Sequence, residues 1–329
     1  MADHKPFYVT TPIYYVNDAP HIGHAYTTLA CDVLARFKRL DGYQVKFLTG
    51  TDEHGQKVEK AAEAAGIPPQ EFVDKVSANF RHLAQAMNFT NSDFIRTTEP
   101  RHKKAVQELW RVLKEKDEIY LDSYAGWYSV RDEAFYGEGE LVDGEGGKKL
   151  APSGAEVEWV EEPSYFFRLS KWRERLLDFY DKHPDFVQPK SRMNEVKSFV
   201  KGEGEGALRD LSVSRTSFKW GVGVPDDPDH VMYVWIDDLT NYLTAIGYPD
   251  MQSAEFQTFW PADLHMEAKD ILRFHAVYWP AFLMAAGIEP PQRGFPHGGW
   301  PHEGGNIPTS LRNHLAQLEL IEPYGLAPV

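Results

Sequence analysis

The sequence predicts an α/β protein, a parallel sheet with crossover helices interrupted by a small β-rich insertion. Three features carry this. Strand-like and helical patterns alternate to about residue 115, turn-rich strand-like pieces fill residues 118–170, and helical patterns then return with later strand-like runs. Residues 7–11 are β-branched and aromatic and read as a buried strand. Asn17, Asp18 and Pro20 supply turn chemistry, and residues 25–40 carry Leu29, Val33, Leu34 and Phe37 at helical spacing. Residues 44–48 read as the next strand, and residues 69–87 and 101–115 as amphipathic helices. In the insertion, residues 127–130 and 157–160 are strand-like, separated by turns such as the glycine- and lysine-rich residues 144–149. Residues 171–182 and 193–200 return to helix, and residues 271–286 form a strongly apolar helix. Residues 231–236 and the segment at Gly294 and Phe295 read as later strands of the same sheet.

The chain has 329 residues, 42% of them hydrophobic and 13% aromatic, enough for one large core or two domains. No apolar run approaches the length of a membrane span, the first residues lack a signal-peptide pattern, and the cytoplasm is the expected compartment. The single cysteine, Cys31, excludes an intrachain disulfide and a cysteine-based structural zinc site, and it reads as a small buried apolar residue. A net charge of −14 argues against general adhesion to nucleic acid but leaves room for a local basic patch. The short runs Arg101-His102-Lys103-Lys104 and Lys190-Ser191-Arg192 read as solvated helix faces. Residues 202–206 alternate glycine and glutamate, lack phosphate-loop spacing, and read as a flexible surface insertion.

His21-Ile22-Gly23-His24 stands where a strand and turn give way to a helix. A helix start offers backbone N–H groups and partial positive charge to a phosphate, and two imidazoles there can donate to charge developing on phosphate oxygens. Gly23 allows a ligand close to the backbone.

This string, with residues 10–20 around it, resembles the class I aminoacyl-tRNA synthetases, the methionyl-tRNA synthetase family in particular. The same resemblance extends to Phe47-Leu48-Thr49-Gly50-Thr51-Asp52-Glu53-His54-Gly55, to residues 126–133 and 164–170, and to Tyr233-Val234-Trp235-Ile236-Asp237. It implies a Rossmann-type catalytic domain split by a connective insertion, with ligands at the carboxyl ends of the strands. The expected division is a first catalytic half over residues 1–115, the insertion and linking helices over 116–205, and a second catalytic half over 206–329. The family's helical anticodon-reading domain is expected to be absent. Where zinc-bearing relatives carry a Cys-x-x-Cys knuckle, this chain has Ser129 and Asp132, so no zinc is expected.

The resemblance implies ATP-dependent activation of methionine and transfer to tRNA(Met), with Mg2+ riding on ATP. His21 and His24 are the expected catalytic pair. His21, Gly23, His24, Lys269, Asn306, Thr309 and Ser310 are expected at ATP. Asp52 and the carbonyl of Ile13 would hold the substrate ammonium. Tyr15, Trp235 and His297 would line the thioether pocket, with Tyr242 beside them and Asp238 adjoining. Two departures stand out. The family's mobile lysine loop aligns with residues 306–310, where Asn306 and Thr309 replace both lysines and Pro308 stiffens the segment. Ala268 and Asp238 replace small residues, and a carboxylate at 238 fits either a cationic or polar substrate or a side chain turned away from the pocket. The alternatives are a repurposed paralogue that activates another amino acid without reading an anticodon, and a non-catalytic paralogue that binds nucleotide or a partner.

Overall fold

The computed structural model describes residues 5–16, 19–132, 134–144, 147–202, 207–298, 301–302 and 305–306. The chain opens with strand β1 (Pro6–Thr10), β2 (Tyr14–Tyr15), helix α1 (Ile22–Leu40), β3 (Gln44–Asp52), α2 (Gln56–Ala65), α3 (Pro69–Ala86), β4 (Asp93–Arg96) and α4 (Pro100–Glu115). The insertion contains the long strands β5 (Ile119–Ser129) and β9 (Glu158–Phe167), paired antiparallel from Ile119 with Phe167 to Tyr128 with Glu158. Between them lie β6 (Ala134–Tyr136) and the short pair β7 (Val142–Asp143) and β8 (Lys149–Leu150). Helices α5 (Arg173–Lys182) and α6 (Lys190–Lys201) follow. Strand β10 (Leu211–Ser212) then pairs with β9, so the insertion's sheet extends past the expected boundary at residue 205.

The later chain supplies β11 (Ser214–Arg215), β12 (Gly223–Val224), β13 (Asp227–Met232), α7 (Val234–Leu239), α8 (Asn241–Thr244), α9 (Ala254–Phe259), β14 (Leu264–Ala268), α10 (Trp279–Ala286) and β15 (Gly294–His297). The central sheet is parallel throughout. Strand β3 pairs with β1 along its first half, with β4 farther on and with β2 at its end, while β14 joins the other side of β1 and β15 follows. The first half of the chain therefore builds the sheet outward from β1, and the second half builds it outward from β14 in the opposite direction. The crevice outside the carboxyl ends of β1 and β14 is the switch point at which such sheets bind ligands.

Three expectations are corrected. Residues 231–236 do not form a strand of the central sheet: β13 ends at Met232 in a separate antiparallel sheet with β11 and β12, and α7 starts at Val234. A short apolar run does not specify its partner strand or distinguish strand from buried helix. Residues 271–286 are not one regular helix, because a π-helical turn at Phe274–Tyr278 precedes α10. In α1, Leu29, Val33 and Phe37 are exposed, and the helix lies on the sheet through Cys31 and Ala35. Small residues let α1 approach closely, and Cys31 is fully buried as expected.

The two faces of β14 alternate as a strand requires. Leu264 and Met266 pack with Cys31 and Ala35 beneath α1. His265 and Glu267 face the opposite layer, where His265 stacks on Tyr242 at 4.1 Å between ring centres. That layer holds the main core, including the fully buried Trp110, Tyr180, Tyr242 and Trp279.

Candidate active site

The start of α1 is organised by its own histidines. His21 is the N-cap: its Nδ1 accepts from Gly23 N–H at 3.1 Å, and His24 Nδ1 accepts from His21 N–H at 3.1 Å. The rings stack at 3.8 Å. Because each Nδ1 accepts a backbone N–H, each neutral ring carries its hydrogen on Nε2, the donor with which it would meet an oxygen ligand. Gly23 has a local reason beyond ligand approach, since a Cβ there would meet the His21 ring at 2.9 Å.

His297 and Lys269 join this side. His297 ends β15, with its Nε2 2.8 Å from Thr27 Oγ1 and its ring edge-on to Tyr26. It was expected beside Trp235 and Tyr242, but its side chain meets α1, while Tyr242 packs on the opposite face of the sheet. Lys269 follows β14 directly, half-buried and without an ion pair among the described residues. The backbone of Asn306 pairs with Pro301 in a short antiparallel ladder. Thr309 and Ser310 lie outside the described residues.

Ile13, Tyr15 and Asp52 converge at the end of β3. Tyr15 pairs in register with Asp52, which is 4% exposed, and Val16 N–H donates to the Asp52 carbonyl at 3.2 Å. Ile13 is buried in the main core. The loop after Asp52 is pinned on both sides. Buried Glu53 accepts from Thr51 at 2.8 Å and from Arg96 at 2.6 Å, and the His54 carbonyl accepts from Tyr15 OH at 3.1 Å.

The π-helical turn brings the remaining pocket residues together. Phe274 stacks on half-buried Trp235 at 3.9 Å, and the adjacent His275 takes the Tyr242 hydroxyl on Nε2 at 2.6 Å. His275 Nδ1 donates to the Ile271 carbonyl at 3.1 Å, and burial holds this imidazole down at about 4. Burial pushes the Glu267 carboxyl, 3.1 Å from His275 Nδ1, well above the carboxylate range. Asp238 is half-buried, and its carboxyl is also raised well above the usual range, first by burial and then by the neighbouring Asp237 carboxylate.

Sequence reasoning missed His275, His102 and the role of Asp237. His275 sits in a run that reads only as apolar helix. His102 lies in what reads as a basic surface run, yet it is fully buried. Asp237 carries the strongest signal of the three, an acid inside the aromatic string Tyr233-Val234-Trp235-Ile236-Asp237.

In the insertion, Asp132 N–H donates to Ser129 Oγ at 3.2 Å, and Asp132 Oδ2 accepts from Tyr136 OH at 2.9 Å and from Ser153. Among the described residues, no group of three or more histidine, cysteine, aspartate or glutamate side chains is placed to hold a metal ion. No described helix is long and apolar enough to cross a membrane.

Residues 7–327 match the family described as tRNA synthetases class I (M). Methionine--tRNA ligase of Rickettsia bellii is 60% identical over 323 residues, covering 98% of this chain and 62% of the relative. Methionine--tRNA ligase of Mycobacterium bovis is 54% identical over 325 residues, covering 99% and 62%. The solved structure of Mycobacterium tuberculosis methionyl-tRNA synthetase in complex with methionyl-adenylate superposes with a TM-score of 0.93 at 54% identity, over 98% of this chain and 62% of that one. The free-state structure of the same enzyme gives 0.82 at 49% identity, over 99% and 61%. The chain thus spans about 62% of the length of the curated relatives it matches.

Proposed function

The chain belongs to the class I tRNA synthetase family of the (M) type, and on that premise we propose that it is the activating portion of a methionine--tRNA ligase. In this reading the methionine carboxylate attacks the α-phosphorus of ATP, pyrophosphate leaves, and the methionyl group passes from the adenylate to a tRNA(Met) hydroxyl. We read the compartment as the cytoplasm.

One observation carries the reading. The stacked His21–His24 pair caps the start of α1, and buried Asp52 ends β3, the strand beside β1 in the parallel sheet. His21 and His24 would donate through Nε2–H to oxygens on the reacting phosphorus, where charge develops. Gly23 and Lys269 would border the nucleotide, and His297 joins them through Thr27. Asp52 and the Ile13 carbonyl would hold the substrate ammonium. Tyr15, Trp235 and Tyr242, with His275, would enclose the side chain, and Asp238, its carboxyl raised by burial and by Asp237, would adjoin it. Mg2+ would arrive on the ATP phosphates, and the described residues offer it no cage of their own. We read the insertion as zinc-free, supported by the hydrogen bonds that tie Asp132 to Ser129, Tyr136 and Ser153.

Asn306 and Thr309, where the family carries lysines, would slow expulsion of pyrophosphate. ATP–pyrophosphate exchange by the 329-residue chain, run across the standard amino acids, tests the proposal. Methionine is expected to drive exchange, with Asn306→Lys and Thr309→Lys together raising it. Stronger exchange with another amino acid would overturn the reading and favour the role Asp238 offers in a repurposed paralogue.

A further inference from the structure

One carboxylate ties together three elements around the amino-acid side of the cleft. Asp237 is 1% exposed, and its two oxygens meet two imidazoles, His54 Nδ1 at 2.7 Å and His102 Nε2 at 2.9 Å. His54 comes from the loop after β3, His102 from α4, and Asp237 from α7. Both rings are buried, and His102 is anchored in turn by Thr244 of α8, 3.1 Å from its Nδ1. A carboxylate only accepts, so each ring nitrogen facing it carries a hydrogen, and the node is satisfied on both sides.

What it holds is the pocket wall. Asp237 and Trp235 are two residues apart on α7, about 200° around a helix, so fixing Asp237 against α4 fixes the face on which Trp235 is presented. On the other arm, His54 lies two residues after Asp52, its carbonyl accepts the Tyr15 hydroxyl at 3.1 Å, and Trp220 stands edge-on to its ring at 5.5 Å. We propose that Asp237 is a positioning residue for amino-acid recognition, bridging His54 and His102 so that Trp235 on α7 and the Tyr15–Asp52 corner keep a fixed separation. A burial-only role does not account for the arrangement, because a desolvated charge gains stability only when fully paired and an apolar residue of similar size would serve packing as well. The hydrogen bonds of the bridge run among the loop after β3, α4, α7 and α8.

The test is Asp237→Asn, since an amide cannot accept from both imidazoles and must turn an NH2 toward one ring N–H. With the whole chain labelled with 5-fluorotryptophan, and the Trp235 fluorine resonance assigned by its absence in Trp235→Phe, the variant is expected to shift and broaden that resonance without ligand. Calorimetry is expected to show methionine affinity weakened about tenfold and ATP affinity within about twofold of wild type. This second arm rests on the functional reading above. If wild type binds no methionine while the Trp235 resonance still moves in the variant, the functional reading fails and the positioning role stands. An unmoved Trp235 resonance overturns the proposal, as does equal weakening of both ligands. Should Asp237→Asn not fold, His102→Gln, which keeps an N–H for Asp237, is expected to leave the resonance in place and His102→Leu to move it. Identical spectra from that pair would also overturn the proposal.

Discussion

Against α1 stand half-buried groups: His21, Gly23 and His24 at the helix start, Lys269 after β14, and His297 at the end of β15. Across the sheet, Asp52, His54, His102, Asp237, Tyr242 and His275 are buried; Asp237 is hydrogen-bonded to His54 and His102, and Tyr242 to His275. In the proposed reading the first side would offer donors to a large, charged and hydrated ligand. The second would discriminate a small side chain beside a bridge whose groups cannot move without leaving a buried polar atom unpaired. Nucleotide chemistry and amino-acid selection would then be carried by different physical devices, and substitutions should separate them.

The largest separation is expected from Asp52→Asn. Removing the carboxylate that would pair with the substrate ammonium should weaken methionine about 100-fold or more by calorimetry while leaving ATP nearly unchanged. His21→Ala should do the reverse. Loss of a donor aimed at the reacting phosphorus lowers pyrophosphate exchange by about 10²–10³-fold, and loss of the cap at Gly23 N–H removes about 1 kcal/mol of stability, read as a lower Tm. The smallest effect concerns acid. Burial raises the Asp237 carboxyl, but His54 and His102 outweigh it and hold the group well below the usual carboxylate range. A folded value below the unfolded one, about 3.9, means that the pairing stabilises the fold above that pH and is lost as pH falls beneath it. Wild type should therefore lose more Tm than Asp237→Asn between pH 7 and pH 3, and parallel losses would remove the ion pairing from the account.

The α1 side was the more legible of the two in the sequence. A β-branched run, turn residues and the two histidines sit within a few positions of one another, and such local chemistry announces a strand, a turn and a helix start. The parallel pairing of β1 and β3 follows from the same alternation, whereas the short β4 was not legible. Strand β14 was hidden because His265 and Glu267 break its apolar run, and its inward-facing polar side chains make sense only once α8 and the π-helical turn are packed against it. The Asp237 bridge was invisible for a related reason: its partners stand 183 and 135 residues away in the chain, and nothing at Asp237 names them. His297 meets Thr27 of α1, whereas His275 meets Tyr242 from within a run that reads only as apolar helix.

The most direct test is a crossed titration in which methionine and ATP are each measured calorimetrically against wild type, Asp52→Asn and His21→Ala. The account predicts that Asp52→Asn loses methionine and keeps ATP, and that His21→Ala weakens ATP and keeps methionine. Loss of both ligands in parallel by either folded variant would contradict it.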